Sequence, residues 1–289
     1  MLTAFYIIIN FLSYLLPMRC AYFITKGISA ATYFIIYRRA RENVRNNLIR
    51  VFGAKVEKWK LDRMVFETFQ NFALFMYEFL ITRRLNEKTQ PLFVKPVGFE
   101  KVDKALENGK GGIMITGHMG NWEWGAAMLT YLGHPATVIA NRFKNEFITK
   151  FYYDRRVQQG MEVAYLDEAV RKTLRKVKRN GLVAILADRD YTRQGMEVEF
   201  FGMRTKIPTG GLLLGLRSGA AVFPAFSIRI APCRYHVFFD EPLQLESKGY
   251  REEDMKKDMQ KWVTVLEKYI RKYPTQWYRF EPFWEPEKE

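Results

Sequence analysis

The chain has 289 residues, enough for one large domain or two small ones around a sizeable core. Hydrophobic residues make up 48% and charged residues 27%, which excludes a disordered chain. The net charge of +15 draws anionic partners (phosphates, acidic lipids or acidic carrier proteins) without choosing among them. Two cysteines, Cys20 and Cys233, with no C-x-x-C, argue against a disulfide framework and a cysteine zinc site, and suit a reducing cytosolic environment.

Residues 2–18 (LTAFYIIINFLSYLLPM) carry no charge, and the first basic residue is Arg19. A signal peptide places its charge before the apolar stretch and a cleavage site after it. Here the charges follow, so the segment reads as an uncleaved anchor slightly short of a full span. A second apolar-aromatic stretch, residues 20–37, leads into the basic block RRARENVRNNLIR, which puts the body of the protein on the cytoplasmic side of a membrane. The expected division is therefore 1–37 as membrane anchor or interfacial helices and 38–289 as the catalytic domain. A buried N-terminal helix is the competing reading.

Residues 38–52 predict a basic helix ending near Gly53, and 56–82 a long amphipathic helix with Leu61, Met64, Phe69, Phe72, Phe75 and Phe79 on one broad apolar face. From residue 97 short apolar runs alternate with helical patterns. Strands are expected at 111–117, 136–140, 162–166, 182–188, 196–202, 221–230 and 235–242, the last closing the sheet. Helices are expected at 121–133, 144–160, 167–181, after Pro208, and at 251–273. This alternation predicts an α/β fold, a central largely parallel or mixed sheet flanked by helices behind an N-terminal hydrophobic anchoring segment. Sites in such sheets gather beyond the carboxyl ends of the strands. His118 and the acidic Asp188 and Asp190 follow two of them.

His118 is one of three histidines and lies in TGHMGNWEWG, between Gly117 and Gly120. On one continuous helix His118 and Glu123 would point about 140° apart. With the helix starting near Asn121, its candidate cap, His118 falls in the strand-to-helix turn and Glu123 in the first helical turn, from which it can reach back to the ring. Glu123 would then fix the tautomer and stabilise the imidazolium, while the helix N-terminus favours the neutral ring. A neutral, oriented histidine suits a general base; a core histidine bonded to a loop is the bland alternative. His134 and His236 have no acidic partner in sequence and read as structural or solvent-facing. No H-E-x-x-H, G-x-S-x-G, P-loop or dinucleotide fingerprint is present.

GHMGNWEWG resembles the H-x4-D/E motif of the glycerolipid acyltransferase superfamily. More fully, the chain resembles the bacterial lipid A late acyltransferases (lauroyl and myristoyl transferases) and the related phosphatidylinositol mannoside acyltransferases. RARENVRNNLIRVFG, VGFEKVDKALENGKGGIMITGHMGNWE, NRFKNEFITKFYYDRRVQQG, the block from LVAILADRD to GAAVFPAF, and YPTQWYRFEPFW carry the likeness in order. The tail departs from it: Pro282 and acidic residues stand where the family continues in a basic ending.

The resemblance implies transfer of a fatty acyl chain from a thioester of acyl carrier protein or coenzyme A to a hydroxyl of a glycolipid, such as a lipid A precursor or a phosphatidylinositol mannoside. The reaction would occur at the cytoplasmic face of an inner membrane bearing anionic lipid, with no metal, no cofactor and no nucleic acid. His118 would be the base and Glu123 its orienting partner. Asn121, Arg142, Asn145 and Arg189 are expected to contact substrate, the arginines through phosphate or headgroup. For Arg155 and Arg156 surface salt bridging is an equal reading. Asp188 either helps hold His118 or a positive ligand group, or is a strand-end turn residue. Two other classes compete: a non-enzymatic lipid- or nucleic-acid-binding protein, which leaves His118, Glu123 and their glycines unexplained, and a lipid hydrolase using the same histidine.

Overall fold

A computed structural model describes residues 14–53, 55–191, 194–246 and 251–284. Among the described residues the chain runs through α1 (Met18–Ile35), α2 (Arg38–Phe52) and α3 (Lys58–Leu80). Gly53 ends α2 at φ 82°, a backbone conformation that costs glycine little. A 3-10 turn, Thr82–Arg84, and a short α4 (Gln90–Phe93) lead to β1 (Val94–Val97). Then follow α5 (Glu100–Leu106), β2 (Gly112–Thr116), α6 (Trp122–Tyr131), β3 (Thr137–Ala140), α7 (Glu146–Gln158), β4 (Glu162–Tyr165), α8 (Ala169–Lys178) and β5 (Leu182–Leu186). A hairpin of β6 (Met196–Phe200) and β7 (Met203–Ile207) precedes α9 (Gly210–Ser218). The chain closes with β8 (Ala221–Ala231), β9 (Arg234–Phe239), α10 (Glu252–Lys272) and a 3-10 turn, Pro274–Gln276.

Among the described residues seven strands form one sheet in the order β1-β9-β8-β2-β5-β3-β4, every pair parallel except β8 with β9. The central strands are apolar on both faces, as strands covered on both sides must be. Met114, Leu182, Phe223 and Val237 meet Trp124 and Met128 on one side. Ile113, Ile115, Val183 and Phe226 meet Leu212, Trp262 and Leu266 on the other. The alternation of Ile113 and Ile115 against Met114 is the period-two signature of a strand. A third cluster, with Tyr33, Val44, Leu48, Leu61, Val65 and Phe69, ties α1, α2 and α3 together.

Two strands escaped the sequence reading. The first, β1, is four residues long and contains Pro96, tolerable because β1 is the outermost strand and pairs on one side only. It displaces β9 from the edge position expected of it. The second is β7, whose register with β6 sets both outside the main sheet. Phe201 and Gly202 between them both have positive φ, 53° and 76°, the two-residue turn that tight hairpins favour. Backbone N–H groups of Glu199 and Phe201 donate to Gln260 and Glu267 of α10, which anchors the hairpin there.

Most of the 2–18 stretch lies outside the described residues. The next stretch forms α1, whose outer face leaves Phe23 and Ile35 each 80% exposed. Among the described residues no helix is long and apolar enough to cross a membrane.

Candidate active site

The parallel register of β2 and β5 builds the centre. Residues from Gly112 to Thr116 lie opposite residues from Leu182 to Leu186, a constant offset of 70. The Ala187 N–H continues the pairing by donating to the Thr116 carbonyl at 2.7 Å. Two residues past the last paired position, the same offset sets His118 against Asp188. The Asp188 Oδ1 lies 2.5 Å from the His118 Nδ1, and its Oδ2 accepts the His118 backbone N–H at 3.0 Å. An ionised carboxylate only accepts, so Nδ1 carries the proton and Nε2 is left as the basic nitrogen.

Asp188 is 1% exposed and His118 9%. Burial by itself would raise the Asp188 carboxyl. The charge of His118, the hydrogen bonds from its ring and backbone, and the Arg189 charge outweigh burial and hold it well below the usual carboxylate range. The indole N–H of Trp277 points to the same carboxylate at 3.4 Å. The tail also pairs with the turn itself: the Tyr278 N–H donates to the His118 carbonyl at 2.9 Å, and Met119 bridges Trp277. Trp122 packs edge-on against the imidazole, ring centres 5.2 Å apart.

The turn is held by close backbone contacts. Gly120 has φ 57°, and a Cβ there would fall on the Ser227 carbonyl oxygen. Its N–H donates to the Gln276 carbonyl, and the Asn121 N–H to that of Ser227, each at 3.0 Å. Glycine is therefore a steric requirement at this position.

The expected partner of His118 is corrected by this geometry. Because α6 begins at Trp122, Glu123 points towards α7, where Arg156 takes both its oxygens at 3.0 and 2.6 Å. Burial alone would lower the Arg156 guanidinium, but the Glu123 charge and hydrogen bonds raise it. Glu123 reaches His118 only at one remove: its Oε1 accepts the Trp122 indole N–H at 3.2 Å, and the Trp122 ring meets the imidazole. Arg156, read from sequence as equally a surface residue, is one half of this buried pair.

Asn121 is also corrected. It is fully buried, so it is closed to a substrate; it caps α6 by accepting from the Trp124 N–H at 3.0 Å and donates its amide to Glu78 at 3.0 Å. Arg142 is exposed, stacks 3.7 Å above the Tyr165 ring and approaches Asp167 at 3.6 Å. Asn145 is an exposed cap of α7, accepting from the Ile148 N–H at 3.2 Å. Arg189 donates to the Tyr278 carbonyl and so holds the tail against the site. Arg155 is buried and packs its guanidinium 5.0 Å from the Phe151 ring centre.

An apolar cavity of about 710 Å³ opens between α1 and α3, lined by Ile24, Ile28, Phe72, Ala73 and Met76 and closed on one side by Phe280. Phe72 touches Tyr278, and Phe75 lies 4.2 Å from Trp122, so the cavity wall continues into the rings around His118. Trp122, Trp277 and Glu78 were not read as site residues from the sequence. The available signal was Glu78 itself, a carboxylate inside the apolar run LFMYEFL.

Fold and site together define an α/β protein with a buried histidine–aspartate pair at the carboxyl edge of its parallel strands, linked through Tyr278 and Phe72 to an apolar cavity. The chain belongs to the bacterial lipid A biosynthesis acyltransferase family, which it matches over residues 1–285. It is 29% identical over 189 residues to a phosphatidylinositol mannoside acyltransferase of Mycobacterium tuberculosis, covering 63% of this chain and 60% of that one. It is 28% identical over 187 residues to the protein of the same name from Mycolicibacterium smegmatis, covering 63% and 61%. The match thus spans about three fifths of these curated relatives.

Proposed function

We propose that this protein moves a fatty acyl chain from a thioester, of acyl carrier protein or coenzyme A, to a hydroxyl of a glycolipid at a membrane surface. The observation that carries this reading is the His118–Asp188 pair, connected through Tyr278 and Phe72 to the apolar cavity. His118 Nε2 takes the proton of the acceptor hydroxyl as its oxygen attacks the thioester carbonyl. The tetrahedral adduct collapses, the carbon–sulfur bond breaks, and the leaving thiolate takes the proton back from the imidazolium. Asp188 holds the ring in the tautomer this needs and stabilises its charged form. Glu123 and Arg156 keep Trp122 against the ring.

The cavity between α1 and α3 seats the hydrocarbon. Arg142, Asn145 and Arg189 are assigned to the polar part of the substrates, the arginines through phosphate or headgroup. The names of the relatives favour a mannosylated phosphoinositide acceptor, and the family a lipid A precursor; both are glycolipid hydroxyls. The exposed face of α1 and the basic α2 beside it support a seat on anionic lipid at the cytoplasmic side.

The test is acyl transfer by detergent-solubilised protein supplied with both thioesters and a panel of lipid A precursors and phosphatidylinositol mannosides, read by mass spectrometry. Transfer by the wild type and a loss of several orders of magnitude in His118→Ala are expected. Equal rates in the two proteins would remove His118 from the chemistry.

A further inference from the structure

Glu78 is completely buried in the middle of α3. Four donors from four parts of the chain converge on its carboxylate. Tyr22 of α1 donates to Oε1. Asn121 and Arg229 donate to Oε2 at 3.0 Å each, and Tyr235 to the same atom. An ion pair this deep adds little stability over an apolar pair of the same volume. Its value lies in direction, because each donor is fixed in orientation.

One of those donors belongs to the turn that carries His118. Asn121 spends its amide N–H on Glu78 and its carbonyl oxygen on the Trp124 N–H, so the carboxylate sets both the cap and the start of α6. Arg229, the ion-pair partner, extends the brace. Its guanidinium bonds to Asn71 at 2.8 Å, and its backbone N–H and carbonyl both bond to the Gln276 side chain. Gln276 in turn accepts the Gly120 N–H through its backbone carbonyl. Asp188 thus holds the histidine turn on one side, and the Glu78–Asn121 bond with the Arg229–Gln276 contacts holds it on the other.

We infer that Glu78 is a positioning residue: through Asn121 it sets the angle of the turn from Gly117 to Asn121 and keeps the imidazole aligned on Asp188. This rests on His118 being the base. The link to Tyr22 makes the same carboxylate the point where the N-terminal helix meets the catalytic turn.

The experiment uses full-length protein in detergent. Asn121→Ser retains an oxygen that can cap α6 but cannot reach Glu78. Tyr22→Phe and Tyr235→Phe each remove a different donor from the same carboxylate and leave the Asn121 link intact. Glu78→Leu/Arg229→Met removes the ion pair without stranding a buried charge. Three quantities are read: kcat and KM, melting temperature, and the 15N ring shifts of the three histidines, which report the tautomer of His118.

The expected result is a kcat roughly 10- to 100-fold lower in Asn121→Ser with KM nearly unchanged, the scale of an ångström-sized misplacement. The His118 ring shifts move towards a tautomer mixture while those of His134 stay in place. The ion-pair double variant behaves the same way, and adding Asn121→Ser to it costs nothing further. Both Tyr→Phe variants melt lower but keep kcat and the His118 shifts. Wild-type kcat and wild-type ring shifts in a folded Asn121→Ser protein would overturn the inference. So would a loss of kcat that tracks melting temperature across all variants. If no acceptor supports transfer by the wild type, the ring shifts alone decide: the proposed function then fails its own test while the brace stands or falls independently.

Discussion

At the scale of single residues, the centre is an imidazole whose Nδ1 proton is claimed by a buried carboxylate. Asp188→Asn keeps the size of the side chain but can present an amide N–H to the ring, which favours the wrong tautomer. Transfer should fall by roughly 10³- to 10⁴-fold with the fold retained, measured as kcat beside circular dichroism. Asp188 also ties stability to pH. Its native pKa is depressed, so the unfolded chain binds this proton more readily than the folded one. The stabilisation is complete above the unfolded value of about 3.9 and is lost as pH falls below it. Melting temperature should therefore drop more steeply on acidification in the wild type than in Asp188→Asn as pH falls from about 4 to about 2.

At the scale of elements, α6 is fastened to α7 by the Glu123–Arg156 pair, whose side chains are 4% and 13% exposed. Arg156→Met strands a buried carboxylate and should destabilise by roughly 3–5 kcal/mol, whereas Glu123→Leu/Arg156→Met should recover most of that loss. Denaturant titration of both variants checks the difference. The gap between α1 and α3 makes a separate prediction. Ala73 lines the cavity, and Ala73→Phe fills space there with an aromatic ring. The preferred acyl chain should shorten, seen by competing thioesters of different length in one reaction, with the rate on the shortest chains preserved. A variant that lowers transfer equally for every chain would separate this cavity from acyl selection.

At the scale of the whole molecule, charge and apolar exposure meet on the N-terminal helices. Phe34 and Ile35 are 67% and 80% exposed at the end of α1, directly before the basic α2. Phe34→Asp/Ile35→Asp should abolish flotation with anionic vesicles while leaving the melting temperature within about 1 kcal/mol of wild type in equivalent stability. Wild-type binding should weaken as salt rises, since surface charge is screened within about 10 Å at 0.1 M.

Much of this was legible in the chain itself. The alternation of short apolar runs with capped helical patterns made an α/β sheet with parallel strands, because period and capping are local properties. The pair of glycines placed His118 in a turn after a strand, and Asn121 announced the start of α6. What the sequence could not contain was which carboxylate meets the ring. Glu123 is near His118 along the chain, but a helix starting at Trp122 turns it away towards Arg156. Asp188 is 70 residues distant, and only the register of β2 on β5 brings it opposite. The same holds for Glu78, whose four partners come from four separate segments. Local patterns determined which elements form and where a site would open; the pairing of strands far apart in the chain decided which side chains share it.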